Sequence, residues 1–434
     1  MKTSILNHTI ALAAAGATLV GLHSTSLGQV TKYDVDLDPP KFILYTDPYN
    51  GNQIKVGGFS GIYPVPGKPD YFYVITDRGP APDFVTASGA IRKTFAIPEF
   101  GPHLLQVELK HNERAKIKHM MPLTRPDGEP ISGLPTSLPP TDIPFDFNLV
   151  QLPFDEDCLD AEGITIDPWG NFWVCEEYKP SVAMMTPSGT VLMRLVPAGT
   201  KTGVEQIPTY DVLPAVLAKR RNNRGLEGIA ASSDGILYSI MQRPANNPNR
   251  AAADANGNVR LVAINLNVLF NSVPQPLVKQ YLYRIPAVPN TVTLSDLFST
   301  APGKLLVSER ATDKLFEADL AGATDLTPLE DATGKLIADP TKTLEQLDTA
   351  GLATHGIVPV TKTVVIDSLT AIDPLLEKVE GVCVVGNNIV LTHDNDFNVA
   401  EAASTPANPN PQGPLVQLEL IGANFPRVYV IPMQ

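Results

Sequence analysis

The chain is poor in the residues that announce most metal and redox sites. Cysteine occurs three times and histidine seven times in 434 residues. Cys158, Cys175 and Cys383 are too few for a disulfide framework. Cys175 and Cys383 lie inside apolar strand-like runs and read as buried thiols, and a Cys158–Cys175 bridge stays open as a pairing. The histidines show no paired spacing, which argues against zinc or copper. Basic residues are outnumbered, 33 against 46, for a formal net charge of −13. Nucleic acid is excluded as a partner, because its phosphates need a basic face. Nucleophile elbow, P-loop and dinucleotide fingerprint are missing, and no arrangement announces a Ser-His-Asp triad. Gly58-Phe59-Ser60-Gly61 has the wrong spacing for an elbow.

Long apolar runs are also scarce. The one candidate is N-terminal, Ile10 to Leu22, preceded by Lys2 and followed by Ser26-Leu27-Gly28. It is short for a membrane span and reads as a secretory signal over residues 1–28. The expectation is a secreted or periplasmic protein that starts at Gln29, forms a single domain over 29–434 and has no membrane span.

What the chain has in quantity is proline (41), glycine (31) and a repeated phrase. Ser60-Gly61-Ile62, Glu162-Gly163-Ile164, Glu227-Gly228-Ile229 and Glu380-Gly381-Val382 each open a short apolar run. A turn and a second apolar run follow, ending in Asp77-Arg78, Glu176-Glu177, Gln242-Arg243 and His393-Asp394-Asn395. A degenerate copy reads Ser295-Asp296-Leu297, with Glu309-Arg310 at its end. The runs are β-branched and aromatic and bounded by Gly and Pro, as strands are. Repetition of one such unit means a stacked or closed architecture. About four strands follow each phrase, so the fold class is all-β, a β-propeller. Five units are recognisable, and residues 30–57 with 330–378 offer material for another. The expected count is about six blades, within a range of five to seven. Residues 122–157, rich in Pro, Asp and Gly, break the pattern and read as a long insertion on one face. Pro208–Arg221 has a short helical look, and 254–258 reads as a hairpin turn.

Innermost propeller strands line the central channel. Equivalent positions in three repeats would therefore bring Glu162, Glu227 and Glu380 together. Clustered carboxylates need a counter-charge. One source is Ca²⁺ or Mg²⁺, which all-oxygen ligands suit. On that reading Glu162, Glu227, Glu380, Asp394 and Asn395 hold the metal. The other source is arginine: Arg78, Arg243 and Arg310 recur at second-strand ends. Asp77, Arg78, Glu176, Arg243, Arg310 and His393 form the candidate catalytic set.

Four blocks carry a resemblance. Gly57–Ile62 with Tyr73–Pro80, Asp160–Ile164 with Phe172–Tyr178, Asn223–Ile229, and Val379–Val382 with Asp394–Asp396 are similar, in order, to the phytase-like family called "esterase-like activity of phytase". The resemblance spans roughly residues 50–430. It implies an exported propeller acting on phosphate or carboxylic esters. The histidine acid phytase signature is absent. The Glu-Gly phrase also resembles calcium-dependent gluconolactonase-type propellers, whose channel ion has Glu, Asn and Asp ligands. Three functions follow as expectations: a metal-assisted hydrolase of a small anionic ester or phosphoester, a non-catalytic binding propeller, or a lactonase. The sequence sets no oligomeric state.

Overall fold

Each copy of the repeated phrase folds into the same local irregularity. The pairing of first with second strand slips between Phe59 and Gly61, Ala161 and Gly163, Leu226 and Gly228, Leu294 and Leu297, and Val379 and Val382. A slip of this kind is a β-bulge, which bends the strand and re-aims a side chain. The repeated phrase therefore encodes five bulges at one end of five innermost strands.

The computed structural model describes residues 28–271, 275–288, 291–422 and 424–433. Its strands form five antiparallel blades whose innermost strands pack in a ring. Blade 1 runs Phe59–Pro64, Tyr71–Thr76, His103–Lys110 and Arg114–Pro122. Blade 2 runs Ala161–Ile166, Phe172–Glu176, Ser181–Met185 and Val191–Pro197, with Thr209–Leu213 added in parallel. Blade 3 runs Leu226–Ala231, Ile236–Met241, Asn258–Asn265 and Val278–Arg284. Blade 4 runs Thr293–Ala301, Lys304–Arg310, Lys314–Asp319 and Thr361–Ile366. Blade 5 takes Val379–Val385, Asn388–His393 and Arg427–Pro432 from the C-terminus. Its outer strand is Thr31–Val35 from the N-terminus, with Thr31 opposite Val430. The two chain ends thus close the ring, which removes exposed sheet edges.

The blade count is five, one fewer than the six expected and inside the range of five to seven. Neither segment held for a sixth blade makes one. Residues 30–57 supply the closing strand and a separate hairpin, Ile43–Thr46 with Gln53–Lys55. Residues 320–360 are an excursion between the last two strands of blade 4. That excursion buries Leu326, Leu336, Leu344 and Leu352 against one another. It is tied down by Arg260, fully buried, whose guanidinium meets Glu330 at 2.6 Å and Glu345 at 2.8 Å. Other local expectations also change. Residues 254–258 are the end of a helix, Arg250–Asn256, stopped by Gly257 in the left-handed region (φ 64°). Residues 208–221 hold a strand and a short 3₁₀ turn, Ala215–Lys219. Cys158, Cys175 and Cys383 are free, buried thiols. The proposed signal, residues 1–28, lies outside the described residues but for Gly28.

Glycine in the phrase answers a steric demand at the channel waist. A Cβ on Gly61 would sit 2.8 Å from Gly163 Cα, and one on Gly228 would sit 2.7 Å from Leu297 N. Neighbouring blades meet here backbone to backbone, so any side chain would force them apart.

The stretch 123–157 runs between the last strand of blade 1 and the first strand of blade 2. Its strand Pro144–Asp146 joins Asp83–Val85, Ile91–Phe95 and Ala402–Ala403 in a small sheet. These strands come from three loops that leave the blades at the bulge end. Phe84, Phe100, Phe147 and Phe397 are buried in the core of this cap. The cap therefore lies at the end of the channel that carries the repeated polar residues.

Candidate functional site at the capped end of the channel

Bulged first-strand residues and second-strand ends meet at this end. Asp160, Glu162 and Glu177 place one carboxylate oxygen each within 4.8 Å of one another. Asp160 and Glu177 are buried, and Glu162 is partly exposed. The bulge turns Glu162 inward, while Glu177 lies one residue past the end of its strand. Arg78 pairs with Asp160, and its Nη1 also donates to Asn223 Oδ1 at 2.5 Å. The Arg78 guanidinium stacks over the Tyr178 ring at 5.2 Å. Arg224 lies 3.6 Å from Glu177, beyond hydrogen-bond reach.

The other blades extend this cluster around the channel. Glu227 accepts from Gln242 Nε2 at 2.6 Å, and Arg310 pairs with Glu380. Lys378 joins Asp394 at 2.7 Å and also meets Asp396. Asp77 accepts the Gly79 amide at 2.7 Å and is close enough to Asp394 and Asp160 to feel both charges. Eight carboxyl groups (Asp77, Asp160, Glu162, Glu177, Glu227, Glu380, Asp394, Asp396) share four cationic partners (Arg78, Arg224, Arg310, Lys378).

The electrostatic consequence is a set of carboxyls pushed above their ordinary range. Burial pushes Glu162 well above the usual range, with Asp160, Glu227 and Glu177 adding to it. Burial does the same to Glu227, helped by Glu177 and Glu380, and to Asp77, helped by Asp394 and Asp160. Glu177 is pushed up to about 7, by burial first, although Arg224 and Arg78 oppose the shift. Asp396 is pushed up to about 6 by burial and Asp394. Several buried oxygens have no hydrogen-bond partner among the described residues: Glu177 Oε1, Glu227 Oε2 and Gln242 Oε1. Buried polar atoms left unpaired are costly. These donors are all oxygen, and they fit a hard cation such as Ca²⁺ or Mg²⁺.

Four expected residues lie apart from this cluster. Glu176, last in its strand, points between strands and meets Arg194 Nη2 at 2.9 Å and the Lys179 amide at 2.8 Å. Strand alternation sends it to the opposite side from its neighbour Glu177. Arg243 turns outward to Asp254 at 3.3 Å and to the Val292 carbonyl. His393 is buried, with Nε2 against Asn424 Oδ1 at 3.0 Å. Asn395 is engaged by the cap: its Oδ1 accepts the Gly58 amide and its Nδ2 donates to the Asn424 carbonyl. After it, Asp396, Phe397 and Asn398 are all left-handed (φ 47°, 54° and 60°). That turn drives Phe397 toward Gly58 and Phe100.

The sequence reading missed Asp160, Glu177, Asn223, Arg224 and Lys378. Glu177 adjoins Glu176 and Asp160 stands two residues before Glu162, and only the bulge and strand end decide which of them face the channel. Arg224 belongs to the run Arg220-Arg221-Asn222-Asn223-Arg224, which carries a second charge feature. Arg221, Arg243 and Arg250 all converge on the single carboxylate of Asp254. Burial lowers the Arg243 pKa, and the charges of Arg221 and Arg224 lower it further. Positive charge is thus in excess beside an acidic channel.

A polar site at one end of the channel, in a closed ring of five bulged blades, defines a β-propeller. The family model "Esterase-like activity of phytase" matches residues 54–397, and the chain belongs to this phytase-like family. An "Uncharacterized secreted protein" of Arthroderma benhamiae is 29% identical over 164 residues, 31% of this chain and 32% of that protein. The chain thus matches about a third of that relative's length. Among solved structures, aldose sugar dehydrogenase from Streptomyces coelicolor is 9% identical, with 93% of this chain and 98% of that one covered and a TM-score of 0.32. Virginiamycin B lyase from Staphylococcus aureus is 9% identical, with 84% and 100% covered and a TM-score of 0.28.

Proposed function

We propose that this protein is an exported, divalent-cation-dependent hydrolase of small anionic esters, phosphate or carboxylic, working at the capped end of the channel. The observation that carries it is the surplus of buried carboxylate, with unpartnered oxygens, next to a surplus of arginine. Asp160, Glu162 and Glu177 are the ligands for Ca²⁺ or Mg²⁺. When bound, such an ion polarises an ester oxygen and lowers the pKa of water. Arg224, half free of Glu177, and Arg78, held flat by Tyr178, take the anionic part of the substrate. Glu227 Oε2 and Gln242 Oε1 accept hydrogen bonds from a water or a substrate hydroxyl. Glu227, Gln242 and most of Arg78 lie out of bulk solvent, which strengthens their contacts. Export is supported by the N-terminal pattern and by the similarity to a secreted protein. No helix among the described residues is long and apolar enough to cross a membrane.

The test uses the purified mature chain with p-nitrophenyl phosphate and p-nitrophenyl acetate. Turnover should vanish in chelator, return with calcium or magnesium, and be lost in Glu162→Gln and Glu177→Gln. A cation that raises the unfolding temperature without any turnover would convert the reading to a binding propeller. No cation effect on either measurement would end it.

A further inference from the structure

The channel waist holds a carboxylate that the hydrolase reading does not use. In blade 4, Asp296 stands where the other four blades have the glycine of their phrase. It is 1% exposed. Its Oδ1 accepts the amides of Leu297 at 2.8 Å and Ile229 at 3.4 Å, and its Oδ2 accepts the amide of Val382 at 3.3 Å. The Ile62 amide faces it too; burial pushes the Asp296 carboxyl well above its ordinary range, and all four amides act against that shift by favouring the carboxylate. Each of these amides belongs to the residue after the phrase glycine, or after Asp296 itself. They come from blades 1, 3, 4 and 5. Blade 2 closes the circle, since a Cβ on Gly163 would lie 2.8 Å from Oδ1. None of its hydrogen-bond or ion-pair partners is a cationic side chain.

Backbone amides converging on one point make an anion-binding concavity. Here the fold's own near-symmetry makes it, because each bulge aims one amide at the channel axis. We propose that the waist is a small-anion site, built from the amides of Ile62, Ile229, Leu297 and Val382 and filled in the native chain by the Asp296 carboxylate. The bound carboxylate ties four blades together directly beneath Glu227 and Glu380, each of which immediately precedes a waist glycine. Asp296 is therefore a positioning residue for the acidic ring above it. It also shuts the waist, so ligands enter and leave at the capped end.

Removing the side chain should leave a cavity suited to a free carboxylate of the smallest size. Asp296→Gly should lower the unfolding temperature by roughly 5 °C, and about 0.2 M formate should recover at least half of that loss. Pivalate at the same ionic strength should recover none, because the ring has no room for its branches. The wild-type protein should respond to neither anion. Asp296→Asn should also melt lower, since its amide group would face backbone donors. If Asp296→Gly does not fold alone, its refolding yield should rise with formate and not with pivalate. An Asn variant as stable as the wild type would overturn the proposal, as would a Gly variant that formate and pivalate affect alike.

Discussion

Replacing Glu227 with glutamine should shift stability in opposite directions with and without calcium. Glu227 is 2% exposed, and one of its oxygens has no partner. Burial, Glu177 and Glu380 push its carboxyl well above the usual range. At pH 8 in chelator the carboxylate is therefore a liability, and glutamine keeps the shape while removing the charge. The variant should melt higher than the wild type under those conditions. Calcium reverses the order. A cation at 100 times its Kd contributes about 2.7 kcal/mol. A chain of this size unfolds with an entropy near 0.9 kcal/mol/K, so the wild type should gain about 3 °C. Disturbing a metal site typically weakens binding about 10–100-fold. The calcium-dependent gain of Glu227→Gln should then shrink to about 1 °C. Differential scanning calorimetry in chelator and in calcium, both at pH 8, measures the four values. Equal calcium gains in the two proteins, or a variant that melts lower in chelator, would refute the reasoning.

Without a divalent cation, stability should decline from about pH 5 to pH 8. The unfolded chain releases these protons near the ordinary carboxyl pKa, whereas folded Asp396 and Glu177 hold theirs to about 6 and about 7. Their contribution is full below the unfolded pKa and is lost through that window, and saturating calcium should flatten the profile. Arg194→Met leaves Glu176 buried without its cationic partner, and should cost about 3–5 kcal/mol in urea titration without altering the calcium increment. Gly228→Ala should destabilise by more than about 3 kcal/mol, because its Cβ meets the Leu297 backbone rather than a flexible side chain. A thiol reagent should label no cysteine in the native protein and all three after denaturation.

The sequence alone determined the architecture and the end of the molecule that matters. A bulge signature written five times specifies five inner strands, because a glycine (Asp296 in blade 4) and a re-aimed polar residue serve the same local geometry in every blade. Glu162, Glu227 and Glu380 were legible for that reason. Tertiary structure decided the rest. Whether Glu176 or Glu177 faces the channel depends on where one strand stops, and composition does not record that. Arg243 left the channel because Asp254, eleven positions on, offered it a partner on a helix that the local pattern hid. Asn395 was taken by the Gly58 amide at the far end of the chain. The sixth blade disappeared because closure needs the two termini to share one sheet, a pairing across nearly 400 residues. Asp296 read as a degraded copy of the phrase. Only the ring of amides from the other blades shows what occupies the space their glycines leave.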